Sequence, residues 1–300
     1  MGKNKSRENK YSYISSQLLN FAEDSYFERT SRPVYAIVFL LPFIAFYELG
    51  TIFINTDVLN HTQVRVVAFT WLQSFLVYLG FGSKLAWAAP AFAVVIILAA
   101  LQIASRKQWR FGIGDIGPMA VECTLLAVPL IVLSLFLNTS RTYKGDAEQF
   151  YSGSAQLQVE IITAESVAEY SDDEGQEQSV LANIVTGIGA GIYEELLFRL
   201  ILICALMVLF QNVLQFSHKN SIIMSILISA ALFSVHHHIV FIDGQLTLGS
   251  PFNWMEFSFR TIAGVYLAVL FAIRGFGITA GTHGFYDIIA TVINSVFFQQ

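Results

Sequence analysis

Gly187-Ile-Gly-Ala-Gly-Ile-Tyr-Glu-Glu-Leu-Leu-Phe-Arg199 sets two carboxylates and a guanidinium inside a stretch, residues 185–210, that is otherwise apolar or small. Ionisable groups at membrane depth cost several kcal/mol each even on lenient insertion scales, so Glu194-Glu195-x-x-x-Arg199 marks a functional site by default. Glu195 and Arg199 stand four apart on one helical face, where an acid N-terminal to a base pairs directly. A buried ion pair that fixes helix packing accounts for those two residues and leaves Glu194 unexplained. A second carboxylate beside a paired one, out of water, is placed to exchange a proton.

The rest of the chain suits such a setting. Of 300 residues, 55% are hydrophobic and 13% charged, and the mean hydropathy is +0.58. Soluble domains carry about a quarter charged residues. Repeated apolar stretches of about twenty residues match the hydrocarbon core, so the expected fold is all-α, a polytopic membrane bundle of about 7–8 helices. Nothing has the basic character needed to hold nucleic acid. Cys123 and Cys204 both fall in apolar segments, where a thiol behaves as a small hydrophobe, so no disulfide framework is expected.

Four regions are expected. Residues 1–32 are polar and basic, with six Lys and Arg against four acids. They lack the apolar core of a cleavable signal, which predicts a retained first membrane helix and a cytoplasmic N-terminus in a prokaryotic plasma membrane. Within this region, residues 11–27 resemble an interfacial amphipathic helix. Residues 33–137 hold the N-terminal membrane helices, with spans over 33–54, 85–104 and 119–137. The stretch 64–82, interrupted by Arg65, Gln73 and Ser74, fits either a crossing or an interfacial helix. Residues 138–180 carry nine acids against two bases and read as a solvated loop. Residues 181–300 hold four apolar segments, 182–210, 221–240, 257–273 and 278–298, and these carry the suggestive polar chemistry.

Gly187, Gly189 and Gly191 let a neighbouring backbone approach the glutamates. A phosphate loop is excluded, since no strand precedes them and no Lys-Ser follows. Phe233-Ser-Val-His-His-His238 ends one apolar segment, and His283-Gly-Phe-Tyr-Asp287 lies within the last. His283 and Asp287 share a helical face, so the aspartate can orient the imidazole. Two chemistries fit. In the first, Glu194 and His237 hold and deprotonate a water that attacks a peptide carbonyl, while His283 and Asp287 stabilise the oxyanion without a metal. In the second, Glu194, His237 and His283 ligate Zn²⁺ and leave a fourth position for water. His-Glu-x-x-His is absent from the sequence.

Taken together, Glu194-Glu195-Leu-Leu-Phe-Arg199, Phe233-Ser-Val-His-His237 and His283-Gly-Phe-Tyr-Asp287 resemble the three motifs of the CPBP family of CAAX proteases and bacteriocin-processing enzymes. The resemblance covers the last 120 residues. It implies an intramembrane endopeptidase of the Ras-converting type, in which Glu194 and His237 activate water and His283 with Asp287 stabilises the oxyanion. Glu195, Arg199 and Phe233 support them, and the metal-free mechanism is favoured. Asp287 stands where prenyl-processing members carry Asn. An ionised aspartate cannot donate to an oxyanion, so Asp287 is either protonated or orients His283. The implied partners are membrane lipid and a peptide or membrane-protein substrate, lipidated or not. Two other classes share the polar core: a non-proteolytic bacteriocin-immunity or scaffold protein, and a proton-coupled transporter with Glu194 as carrier. The transporter reading lacks the internal duplication many transporters show.

Overall fold

Proline fixes the start of the first long helix. Pro33 occupies its first position, where the missing N–H is not needed, and α2 runs Pro33–Asp57. A single turn precedes it, α1 (Tyr26–Thr30), capped by the Ser25 hydroxyl, which accepts from Glu28 N. The computed structural model describes residues 21–57, 67–82, 88–149, 180–242, 245–248 and 253–297. The expected amphipathic helix therefore falls mostly outside the described residues.

Next come α3 (Val67–Tyr78), α4 (Ala89–Ser105) and α5 (Ile116–Gln149), the last entered through a 3-10 turn at Ile113–Asp115. At 12 residues, α3 spans about 18 Å, well short of the roughly 30 Å hydrocarbon core. Over the described residues it is a shorter apolar helix than a span requires. With 17 residues, α4 sits at the lower limit for a span and begins later than the sequence suggests. Helix α5 continues past Leu137, so residues 138–149 of the expected acidic loop are helical. Residues 150–179 lie outside the described residues.

The C-terminal half begins with α6 (Val180–Val213), the longest candidate span after the acidic segment. It is regular from Val180 to Glu194, widens to π geometry over Glu195–Leu202, returns to α over Ile203–Val208 and closes with a π turn at Leu209–Val213. Then follow α7 (His218–His236), a two-stranded antiparallel hairpin, β1 (Ile239–Ile242) and β2 (Gln245–Leu248), α8 (Trp254–Arg274) and α9 (Phe276–Phe297). Helix α7 stops at His236, short of Val240, where the apolar segment ends. The run Ile239-Val-Phe-Ile242 is β-branched and aromatic, and it pairs as a strand instead. Among the described residues, five helices are long and apolar enough to cross a membrane. Helix α9 has the length, but Thr279, His283, Asp287 and Asn294 dilute its apolar character. The protein is thus an all-helical integral membrane bundle with one small hairpin among the described residues.

Packing around α6 places the site. Helix α9 lies against it through small residues: a Cβ on Gly187 would stand 2.6 Å from Asp287 Cβ, and one on Gly191 would stand 2.5 Å from Gly284 N. With no hydrophobic drive between helices in lipid, such close approach is what holds them together. Because Gly191 meets backbone, Gly191→Ala is expected to cost about 1–3 kcal/mol as an overpacking strain. The measurement is a melting curve in detergent; a melting temperature equal to wild type would show that the two helices part freely. On the other side of α6, Tyr193 packs with Tyr47 of α2 and Phe69 of α3, ring centroids 5.4 and 4.9 Å away. The Tyr193 hydroxyl also donates to Glu48 at 3.1 Å.

At the bundle's edge, Arg274 closes the α8–α9 corner. It meets Glu122 of α5 through two nitrogens, at 2.6 and 2.8 Å, and donates to Phe27 O and Thr30 Oγ1 of α1. The next residue, Gly275, has φ +75°, a conformation that only glycine adopts without strain, and a Cβ there would stand 3.1 Å from Ser31 O. Nearby, Glu28 accepts from Arg32 at 2.5 Å and from Lys107 at 2.6 Å. Burial pushes the Glu28 carboxyl up, but these donors outweigh it and hold the group below its ordinary range.

Candidate active site

The site is assembled where the geometry of α6 changes. Glu194 is the last regular residue and Glu195 the first of the π turn, and neighbouring side chains on a helix diverge by about 100°. The two carboxylates therefore face different helices. π-Bulges concentrate at functional sites.

Glu195 looks towards α9. Its Oε1 accepts from His283 Nδ1 at 2.8 Å, and its Oε2 lies 3.0 Å from Arg199 Nε. Arg199 is fully buried; its guanidinium also lies 4.1 Å from the centroid of the Phe233 ring and donates to Gly264 O. On its other side, His283 Nε2 is 3.5 Å from Asp287 Oδ2. The imidazole is thus held between two carboxylates, Glu195 from across the bundle and Asp287 from one turn along its own helix.

Glu194 looks towards the end of α7. Its Oε1 stands 3.8 Å from His237 Nε2. His237 Nδ1 is 2.9 Å from Phe233 O. A carbonyl only accepts, so Nδ1 carries the proton and Nε2 is the basic nitrogen that faces Glu194. Among the described residues, Glu194 Oε2 and His237 Nε2 are both buried without a hydrogen-bond partner. Such a pair of acceptors, a few ångströms apart, is the arrangement a bound water satisfies by donating to both.

All the residues expected from the sequence are buried and adjacent: Glu194, Glu195, Arg199, Phe233, His237, His283 and Asp287. One expectation changes in detail. His283 Nδ1 is bonded to Glu195, and His283 is not among the donor atoms that converge with Glu194 and His237 among the described residues. The group that converges is instead Glu194, His236 and His237, with donor atoms within 4.8 Å of one another. The triple histidine made His236 visible in the sequence, but the spacing from Phe233 pointed past it to His237. Because α7 ends at His236, both rings fold back on the Phe233 carbonyl, and their Nδ1 atoms lie 3.1 Å apart.

Arg260 of α8 and Tyr286 of α9 were not singled out from the sequence. Both line a cavity of about 20 Å³ beside His237 and His283, closed by Phe233 and, from α5, Leu130. That volume holds about one water. A single arginine in an apolar segment was the available signal for Arg260.

The residue types, their order and this convergence all fall in one part of the chain. Residues 176–289 match the family of Rce1-like type II CAAX prenyl endopeptidases. The match bears out the resemblance drawn from the three motifs and takes in Glu194, His237, His283 and Asp287 together. The Rce1-like segment begins just before α6 and ends within α9, so α1 to α5 lie outside it. Neither a curated protein nor a solved structure is matched by the chain.

Proposed function

We propose that this protein is an intramembrane endopeptidase that hydrolyses a peptide bond near the membrane with a water held by Glu194 and His237. The observation that carries the reading is the 3.8 Å approach of the basic His237 nitrogen to the Glu194 carboxylate, inside the Rce1-like segment. A water between them donates to both and loses a proton to Glu194 as its oxygen adds to the carbonyl carbon. The carbonyl π electrons move to oxygen, giving a tetrahedral oxyanion. On collapse the C–N bond breaks and Glu194 returns the proton to the departing amine. His283, held by Glu195 and Asp287, supplies positive charge beside the developing anion. Arg199 keeps Glu195 in place, and Phe233 presents the carbonyl that fixes the His237 tautomer. The substrate class is a peptide presented at the membrane, and a prenylated C-terminal peptide is the first to test, given the matched family.

A zinc-dependent version is the second reading, favoured by the Glu194, His236 and His237 cluster. Two imidazoles and a carboxylate are a donor set zinc accepts. Those three residues would hold the ion, and its chemistry there would be to acidify a water. In either version Glu194 and His237 sit at the water.

Purified protein in lipid vesicles, given prenylated and unprenylated membrane-anchored peptides with and without a strong zinc chelator, separates the two. Cleavage that survives chelation is expected. Loss on chelation that added Zn²⁺ restores would replace the metal-free reading with the zinc reading, and no cleavage of any peptide would overturn both.

A further inference from the structure

Arg106-Lys-Gln-Trp-Arg-Phe-Gly-Ile-Gly114 joins α4 to α5 and is exposed along its whole length. The flanking helices expose large apolar side chains beside it, Ile103 in the last turn of α4 and Val121 and Leu125 in α5. The loop therefore lies at the lipid boundary, where headgroups begin. Apart from the 3-10 turn at its end it has no regular structure, yet it is fixed from within. Gln102, fully buried, donates through Nε2 to Lys107 O and Gln108 O at 3.1 and 3.3 Å, and its Oε1 accepts from Val34 N. At the other end, Gly112 N donates to the Tyr35 hydroxyl at 3.0 Å, and that hydroxyl donates to Asp115.

We propose that this loop is a binding site for the headgroup of an anionic phospholipid. Charge is the first ground. Glu28 is answered by Arg32 and Lys107, and Asp115 by Arg29. Arg106 and Arg110 take part in no ion pair among the described residues, so two guanidiniums are left over on a surface beside the headgroups. A guanidinium presents its N–H groups in a fork that fits a phosphate, and each basic residue near an anionic leaflet adds to the attraction. A zwitterionic headgroup carries its own cation, which offsets that attraction. The second ground is the apolar partners of those charges. Trp109, Phe111 and Ile113 are 54, 46 and 80% exposed. Aromatic side chains of this kind settle at headgroup level, which holds the arginines at the depth of the phosphates. The backbone gives a third ground. Arg106 ends α4 with φ +54°, at a position where helices usually carry Gly or Asn, so a charged side chain is kept there against the backbone's preference. Because Gln102 and Tyr35 already hold the loop in shape, a bound headgroup costs it little conformational freedom.

The test is thermal melting of the full-length protein in a neutral detergent, alone and with added phosphatidylglycerol, phosphatidylcholine, inorganic phosphate or a soluble acidic peptide. With saturating phosphatidylglycerol, wild type is expected to melt about 4 °C or more higher, and with each of the others within about 1 °C of its value alone. The double variant Arg106→Gln with Arg110→Gln is expected to lose about half of that shift or more, and Trp109→Ala a smaller part. Lys219→Gln, which removes an exposed charge outside the loop, is expected to keep it. Equal shifts with the two lipids would overturn the assignment, as would a double variant that keeps the full shift or a Lys219→Gln variant that loses as much. A shift with free phosphate or the acidic peptide that matched the one with phosphatidylglycerol would also overturn it, in favour of a soluble ligand. Native mass spectrometry makes the comparison independent of stability: the double variant is expected to retain fewer phosphatidylglycerol molecules than wild type, and an equal number would overturn the site.

Discussion

Glu194→Gln is expected to lower kcat for peptide cleavage by about 10³-fold or more, with the melting temperature in detergent equal to or above that of wild type. General acid–base groups contribute about 10²–10⁴. Glu194 is asked both to take the water's proton and to return it to the amine, so the upper part of that range applies. The amide is the same size, and it can still hold a water beside His237 Nε2, but it cannot accept the proton. Stability moves the other way, because a buried carboxylate near Glu195 and Asp287 is costly to keep and the neutral amide is not. A variant that kept kcat within tenfold would remove Glu194 from the chemistry and return it to packing.

The second large effect is on the fold. Arg199→Ala is expected to destabilise the protein by about 3–5 kcal/mol, the loss seen when one partner of a buried ion pair is removed. Glu195 would be left buried with His283 alone, and the Phe233 ring would lose the cation that lies 4.1 Å from its centroid. Arg199→Met combined with Glu195→Gln should recover most of that loss, since replacing both charges by groups of similar volume avoids the stranded carboxylate. Chemical denaturation of the three variants measures it. A single variant as stable as wild type would mean that His283, not Arg199, balances Glu195.

These expectations show which parts of the molecule were legible beforehand. The long helices and three polar motifs were, because twenty apolar residues with a few embedded charges announce both a span and a site. Helix ends were less so. The His-rich end of α7 carries no stop signal, and only the strand pairing of Ile239–Ile242 with Gln245–Leu248 shows why the helix stops where it does. The interruptions in 64–82 hid a helix whose described part, α3, is only 12 residues long. The contact between His283 and Glu195 joins residues 88 apart and has no local trace. Spacing alone therefore grouped His283 with Glu194 and His237, whereas packing puts His236 in its place beside them. The place of Arg260 beside His237 and His283 was hidden for the same reason: a helical pattern does not say which cavity α8 faces.

The corner made by Arg274 bears on how the chain is built. Glu122 waits in α5 for a partner made 152 residues later. At synthesis rates of about 5–20 residues per second, that is roughly 8–30 seconds in which the Tyr26 hydroxyl is its partner and the cation is still to come. The atoms of α1 that Arg274 also grips have been made nearly 250 residues earlier. The N-terminal helices are thus held incomplete during biogenesis, and the last two helices act as the latch that finishes assembly. The longest wait in that assembly falls in the interval between α5 and the end of α8.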